Sequence, residues 1–436
     1  MRRVLLIPLF LAGRFLAGFL VTTPTMARCA LASERFEIAP DESSGSCGAV
    51  CVRGVGLIHT EQILPLDAAG RLRGDTLAEQ LNEIFARLDL ADDGAADALE
   101  RCVKLNLYVR DDADAAEVRS AIAARFRGRN KPAVSYVTTI LPAPMARVAA
   151  DAIIATRDRS PTEVVVRNSD GMRPTTALLP PGGRAYVSGQ AESGDLATAT
   201  RKTLDSLQAT LRFLDLDWSQ VVQIKAFLTP MQQVEIVQRE LQQYFGERPL
   251  PPLAYVQWNS SPSTPIEIEL VTAVPSRALA KDAAKDAAKD AAKDAPRIEY
   301  LTPPGMTASP VFSRVTRLAS DDVVYVSGLW GTSNEAEQQV RDVFARLEEL
   351  LKPAGGSLRQ LAKATYYVSD DAVSRQLNLL RPSYYDPQRP PAASKAMVSG
   401  VGMPGRTLTI DMIAIAGEPD GLSQRRKDAK GEENRR

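Results

Sequence analysis

Three runs along the chain, Val103–Val109, Val222–Leu228 and Ala362–Val368, align without gaps, and each is rich in β-branched or aromatic residues. Repetition constrains the fold more than any single motif, because each copy is one supersecondary unit that must pack against the others. Upstream of the runs lie Thr60-Glu61-Gln62, Ser188-Gly189-Gln190 and Ser327-Gly328-Leu329, the last two directly after apolar strands. Between the two elements apolar residues recur at helical spacing: Ile84, Phe85, Leu88; Leu204, Leu207, Leu211; Val340, Phe344, Leu347, Leu351. A proline follows 28 or 29 residues after the second position of each run (Pro132, Pro252, Pro391) and opens a further strand. A second helix fits between, as over Val234–Phe245, and the last strand of each copy carries an acid: Asp151, Glu269, Asp411. The order β-β-α-β-α-β-β predicts an α+β unit of about 120 residues with helices on one sheet face.

The copies are expected over residues 33–157, 158–276 and 297–418. Ahead of them, residues 1–32 contain no acid, begin Arg2-Arg3, continue through the apolar stretch Val4–Val21 and end in Ala30-Leu31-Ala32. That is the order of a cleaved signal peptide, and it predicts a secreted or periplasmic protein with no stable membrane insertion after cleavage. An uncleaved membrane anchor is the competing reading, weakened by Arg14 within the stretch. Residues 277–296 hold Lys-Asp-Ala-Ala repeats and read as a solvated spacer, and 419–436 as a disordered tail.

Charge and histidine content exclude several chemistries. Lys+Arg and Asp+Glu both total 53; losing Arg2, Arg3, Arg14 and Arg28 leaves 49 against 53, a net −4. Such a chain offers no electrostatic footprint for nucleic acid. His59 is the one histidine, which excludes multi-His metal sites, and no metal is expected. On its strand His59 reads as structural. Cys102, inside an apolar run, reads as a buried thiol, whereas Cys47 and Cys51 leave both a bridge and buried thiols open.

Ser188-Gly189-Gln190, the strand at 103–109 and the Pro-Ala openings at 132–133 and 391–392 resemble the Rid family, also called RidA/YjgF or endoribonuclease L-PSP. The resemblance implies chorismate-mutase-like domains that form trimers with a ligand cleft between each pair of subunits, and no cofactor. Three copies in one chain then predict a monomer closing as an intramolecular pseudo-trimer, which buries the apolar surface each unit leaves uncovered.

Well-characterised members hydrolyse enamines and imines, holding the substrate carboxylate with an arginine two positions after the opening proline. Val134, Ala254 and Ala393 stand at those positions, and none can bind an anion. The expected function is therefore binding of small imine, enamine or carboxylate metabolites in inter-domain clefts. The alternative is an active deaminase or related hydrolase in which Asp411, Glu269 or Asp151 activates water. A ribonuclease, which the family label suggests, sits poorly with net acidity. By the resemblance the ligand-binding set comprises Ser188, Gly189, Ser327, Gly328 and the helix residue Asn378, with Arg119 in the first copy. Lys395 joins them because it shares a strand face with Ala393, and Phe312 stands at the family's aromatic position.

Overall fold

A computed structural model describes residues 35–92, 96–158, 160–259, 263–275 and 298–417. The signal segment, the spacer and the tail inferred above lie outside these residues. Among those described, no helix is long and apolar enough to cross a membrane, and no His/Cys/Asp/Glu group could hold a metal.

The mixed α+β composition expected from the repeats is present. The first third holds β1 (Arg35–Asp41), β2 (Ser46–Val52), β3 (Leu57–Thr60), α1 (Leu77–Asp89), β4 (Cys102–Val109), α2 (Asp112–Arg125), β5 (Ala133–Thr138) and β6 (Val148–Ala155). The second holds β7 (Val165–Arg167), β8 (Thr176–Leu179), β9 (Gly183–Gln190), α3 (Leu196–Phe213), β10 (Val221–Leu228), α4 (Val234–Phe245), β11 (Leu253–Gln257) and β12 (Ile266–Val274). The third holds β13 (Ile298–Leu301), β14 (Val315–Leu318), β15 (Val323–Val326), α5 (Ala336–Leu351), β16 (Leu361–Val368), α6 (Asp371–Tyr384), β17 (Ala392–Met397) and β18 (Leu408–Ile415). The three aligned runs are thus β4, β10 and β16.

Local chemistry fixes the helix starts. Thr76 and Glu79 form a capping box at α1, and Asp111, Asp195 and Asp370 accept backbone N–H bonds at the starts of α2, α3 and α6. The apolar helix positions read from the sequence are buried on the sheets, each fully buried Leu or Phe contributing about 1.5–3 kcal/mol.

The strands pair in three six-stranded arrays: β7-β8-β3-β6-β4-β5, β13-β14-β9-β12-β10-β11 and β1-β2-β15-β18-β16-β17. The first and last are joined by one parallel pair, Cys47 with Ala133, into a continuous sheet. In every array the two leading strands come from a different third than the other four. β8 lies on β3, β14 on β9 and β2 on β15, so repeat in sequence and sheet in space are out of phase. The turn at Pro180-Pro181-Gly182, with Gly182 at φ 123°, carries the chain from one array to the next instead of folding β8 back on β9. The N-terminal pair β1–β2 completes the array that β15 begins.

One apolar cluster draws on all three arrays, among them Val50, Leu57, Val103, Tyr186, Val222, Val323 and Tyr325. Cys47, Cys51 and Cys102 are buried free thiols. Four residues along β2 span about 13 Å, beyond the roughly 7 Å that a disulfide tolerates between Cα atoms, which rules out the Cys47–Cys51 bridge.

Candidate functional site

Each of the three strand acids is engaged by a protein partner. Cross-strand register sets Asp151 opposite Asn106, Glu269 opposite Lys225 and Asp411 opposite Thr365. Asp151 accepts from Asn106 Nδ2 at 2.8 Å and from the Tyr108 hydroxyl at 2.5 Å. Glu269 pairs with Lys363 Nζ at 2.7 Å, and Asp411 with Lys104 Nζ at 2.9 Å. Each ion pair joins different thirds of the chain. Asp151 and Glu269 are buried, where a carboxylate needs such partners, and Asp411 is half-buried in its ion pair; these contacts account, without a ligand, for the three acids expected to activate water.

Ser188 and Ser327 likewise tie backbones together. Ser188 Oγ donates to Ser313 O at 2.5 Å and accepts from Ala393 N at 2.7 Å. Ser327 Oγ donates to Cys47 O at 2.6 Å and accepts from Val134 N at 2.8 Å. Both hydroxyl protons are thus donated to backbone carbonyls. His59 is buried as expected, its Nδ1 3.2 Å from Gln223 Oε1, and burial lowers its pKa to about 4.

Two residues before each strand acid, the same register presents Ala149, Glu267 and Thr409. Only Glu267 can ionise. It stands in a cleft of about 540 Å³ whose walls include Gly189 and Gln190 of β9, Phe312 and Arg314 before β14, Arg381 of α6, and Ala393, Ser394 and Lys395 of β17. Burial raises the Glu267 carboxyl from an ordinary 4.5 to about 7, with a Ser394 hydrogen bond opposing the rise. A Cβ at position 189 would fall on the Glu267 carboxylate, so Gly189 leaves the carboxyl room to lie against β9. Gly189 N also donates to Ser394 Oγ at 3.2 Å.

Three cations line the same cleft. Lys395 Nζ donates to Ser374 Oγ at 3.0 Å and to Asn378 Oδ1 at 3.3 Å, so Asn378 and Lys395 meet as the sequence suggested. Desolvation, with repulsion from Arg381 second, lowers the Lys395 pKa. Arg314 lies over the Phe312 ring at 4.8 Å and donates from Nε to Thr307 O at 3.1 Å. Arg381 lies over Tyr366 at 5.4 Å. Arginine is thus absent at Ala393, yet positive charge reaches the cleft from other elements. Sequence reasoning missed Glu267, Arg314 and Arg381. For Glu267 the signal was present, since Ile266-Glu267-Ile268-Glu269 puts two acids on one strand face.

The two related positions differ. Between β3 and β11 an opening of about 450 Å³ holds Glu61, Gln62, Arg87, Leu253 and Tyr255. Glu61 stays within 3.7 Å of Arg87 and accepts from Thr175 N at 2.9 Å. The β10–β11 register sets Leu253 opposite Ile224, as Val134 opposes Leu105 and Ala393 opposes Ala364. The position matching the family arginine is therefore Leu253 and not Ala254; the second proline of Pro251-Pro252 shifts the count by one. Beside Gly328, Trp330 stacks on Tyr136 at 6.0 Å and donates to Val401 O at 2.9 Å, filling the space. Arg119 donates to Gly402 O in that region, away from Glu267.

The endoribonuclease L-PSP family model matches residues 171–274 and 306–416. Among solved structures, a Mycobacterium tuberculosis member of the YjgF/YER057c/UK114 family is 26% identical over 22% of this chain and 79% of its own, with a TM-score of 0.21. RidA from a Psychrobacter species is 23% identical over 21% and 80%, with a TM-score of 0.20. A YjgF-family protein from Neisseria meningitidis is 20% identical over 28% and 96%, with a TM-score of 0.22.

Proposed function

As the chain belongs to the RidA/YjgF family of endoribonuclease L-PSP proteins, we propose that it binds a small carboxylate-bearing imine or enamine in the Glu267 cleft and hydrolyses it there. The observation that carries this reading is the Glu267 carboxyl, raised to about 7 in a cleft whose other charged walls are Glu192, Lys395, Arg314 and Arg381. Lys395 and Arg314 hold the ligand carboxylate through charge-assisted hydrogen bonds. Ionised Glu267 takes a proton from a water whose oxygen adds to the C=N carbon. The acid returns that proton to nitrogen, giving a carbinolamine; Glu267 then takes the new hydroxyl proton and passes it to the amine as the C–N bond breaks, so that ammonia and a carbonyl product leave.

Binding without turnover is the second reading. It is favoured by the apolar side chains Val134, Leu253 and Ala393 at the position where the family places arginine.

The test offers the purified chain imino acids generated in situ by an amino-acid oxidase. Keto-acid release above background, lost in Glu267→Gln and kept in Asp151→Asn, supports hydrolysis. Saturable binding with no release in the wild type leaves the binding reading. If hydrolytic, kcat/KM rises with pH through about 7, because the base must be ionised.

We read the three copies as an intramolecular pseudo-trimer. The hand-over of β8 to β3, β14 to β9 and β2 to β15 supports it, as do the Lys104–Asp411 and Lys363–Glu269 pairs between thirds. Light scattering should then find a monomer; a stable trimer of chains would refute the reading. Export rests on the acid-free pattern of residues 1–32 alone and is checked by fractionation.

A further inference from the structure

Arg184 is the largest fully buried side chain among the described residues, with 0% exposure. It leaves β9 on the same face as Tyr186, toward the apolar cluster that the three arrays share. No ion pair joins it to a carboxylate among the described residues. Its one hydrogen bond, from Nη1 to the Tyr325 hydroxyl, is long at 3.5 Å, and Nε and Nη2 have no partner. A buried guanidinium without a counter-charge costs several kcal/mol.

Its neighbours share the deficit. The Tyr186 hydroxyl and Gln223 Nε2 also have no partner, and both are donors. Gln223 Oε1 takes up His59 Nδ1 at 3.2 Å, which makes Nδ1 the protonated nitrogen and leaves Nε2 as an acceptor. Burial holds that imidazole neutral, so it brings no charge of either sign. The group therefore has an excess of N–H and O–H donors and a positive charge with no carboxylate in direct contact among the described residues, Asp321 acting on it only at longer range. Water would supply acceptors but no charge; an anion supplies both.

We propose that Arg184, Tyr186 and Gln223 enclose a small monatomic anion of the chloride class at the junction of the three arrays. Val50, Leu57, Val222 and Val323 in the shared cluster are each 0% exposed, so the site is closed to bulk solvent and close-packed surroundings favour the smallest anion. At the position of Arg184 the third copy carries Val323, so one arginine serves the junction. The site is distinct from the Glu267 cleft and independent of any turnover there.

Crystals of the full chain soaked in sodium bromide provide the first test. The expected result is an anomalous peak within hydrogen-bond reach of the Arg184 guanidinium. The second is the melting temperature in sodium chloride against sodium gluconate at equal ionic strength. Wild type should melt higher in chloride, and Arg184→Met, which keeps the volume and removes the charge, should melt alike in both. No bromide peak at Arg184, or a chloride effect undiminished in R184M, overturns the proposal.

Discussion

Replacing Glu267 by glutamine separates what the carboxyl costs the fold from what it gives the chemistry. Its pKa is raised in the folded chain, from an ordinary 4.5 to about 7, so the folded state keeps this proton to higher pH than the unfolded state does. Below about 4.5 both states are protonated and nothing is lost. As pH rises toward 7 the unfolded chain alone releases the proton, and stability falls by about 1.4 kcal/mol per pH unit. Above about 7 the loss is complete, at about 3 kcal/mol. This is an upper bound, because the carboxyl meets cleft water that screens its charge. Glutamine fits the same space and does not ionise. Urea unfolding of wild type and E267Q at pH 4.5 and 8 reads the difference directly, other titrations cancelling between the two proteins. The variant should match wild type at pH 4.5 and exceed it by up to about 3 kcal/mol at pH 8, with keto-acid release abolished. Stability curves that run parallel, or a variant less stable at pH 8, would show that the carboxylate is held ionised and refute the reasoning.

Lys395→Ala should weaken binding of a carboxylate ligand by about tenfold, the worth of one charge-assisted hydrogen bond, as measured by calorimetry on the full chain. Lys363→Met leaves Glu269 buried without its 2.7 Å partner and should cost about 3 kcal/mol or more in urea unfolding. Lys363→Met/Glu269→Met should recover most of that loss, since the pair is removed together. Burial pushes the thiols of Cys47, Cys51 and Cys102 up to about 12, 11 and 12. Iodoacetamide at pH 8 should therefore leave all three unmodified in the native chain and label them in urea, as read by peptide mass spectrometry.

Periodicity made the elements legible. Val234–Phe245 was readable as a helix to the residue, because Val237, Leu241 and Phe245 mark one face and Gly246 ends it. Strand pairing was not readable. Nothing in the composition of β8 or β14 says whether it folds back on the next strand or passes to another array, since both options bury the same side chains. At the site, strand parity joined Lys395 to Ala393 correctly, but it could not choose between Glu267 and Glu269, which share a face two residues apart. The choice belongs to Lys363, which arrives from a different third of the chain and claims Glu269. Pro251-Pro252 hid a one-residue shift in the same way: only the pairing of Ile224 with Leu253 resolves it.

If the copies close within one chain, as proposed above, the three interfaces are free to differ. In a trimer of identical subunits any substitution appears three times, so a Trp330–Tyr136 stack that fills one cleft would fill all of them. In the ring proposed above, each interface varies alone. One holds the Trp330–Tyr136 stack, one the Glu61–Arg87 pair, and one Glu267 with Glu192, Lys395, Arg314 and Arg381 on its walls. The same reasoning applies at the shared core. Three arginines converging on one junction would repel strongly at low dielectric, whereas a single Arg184 needs only one counter-charge. Clefts of different lining and an arginine present once at the junction are arrangements that exact threefold symmetry forbids and that a ring within one chain permits.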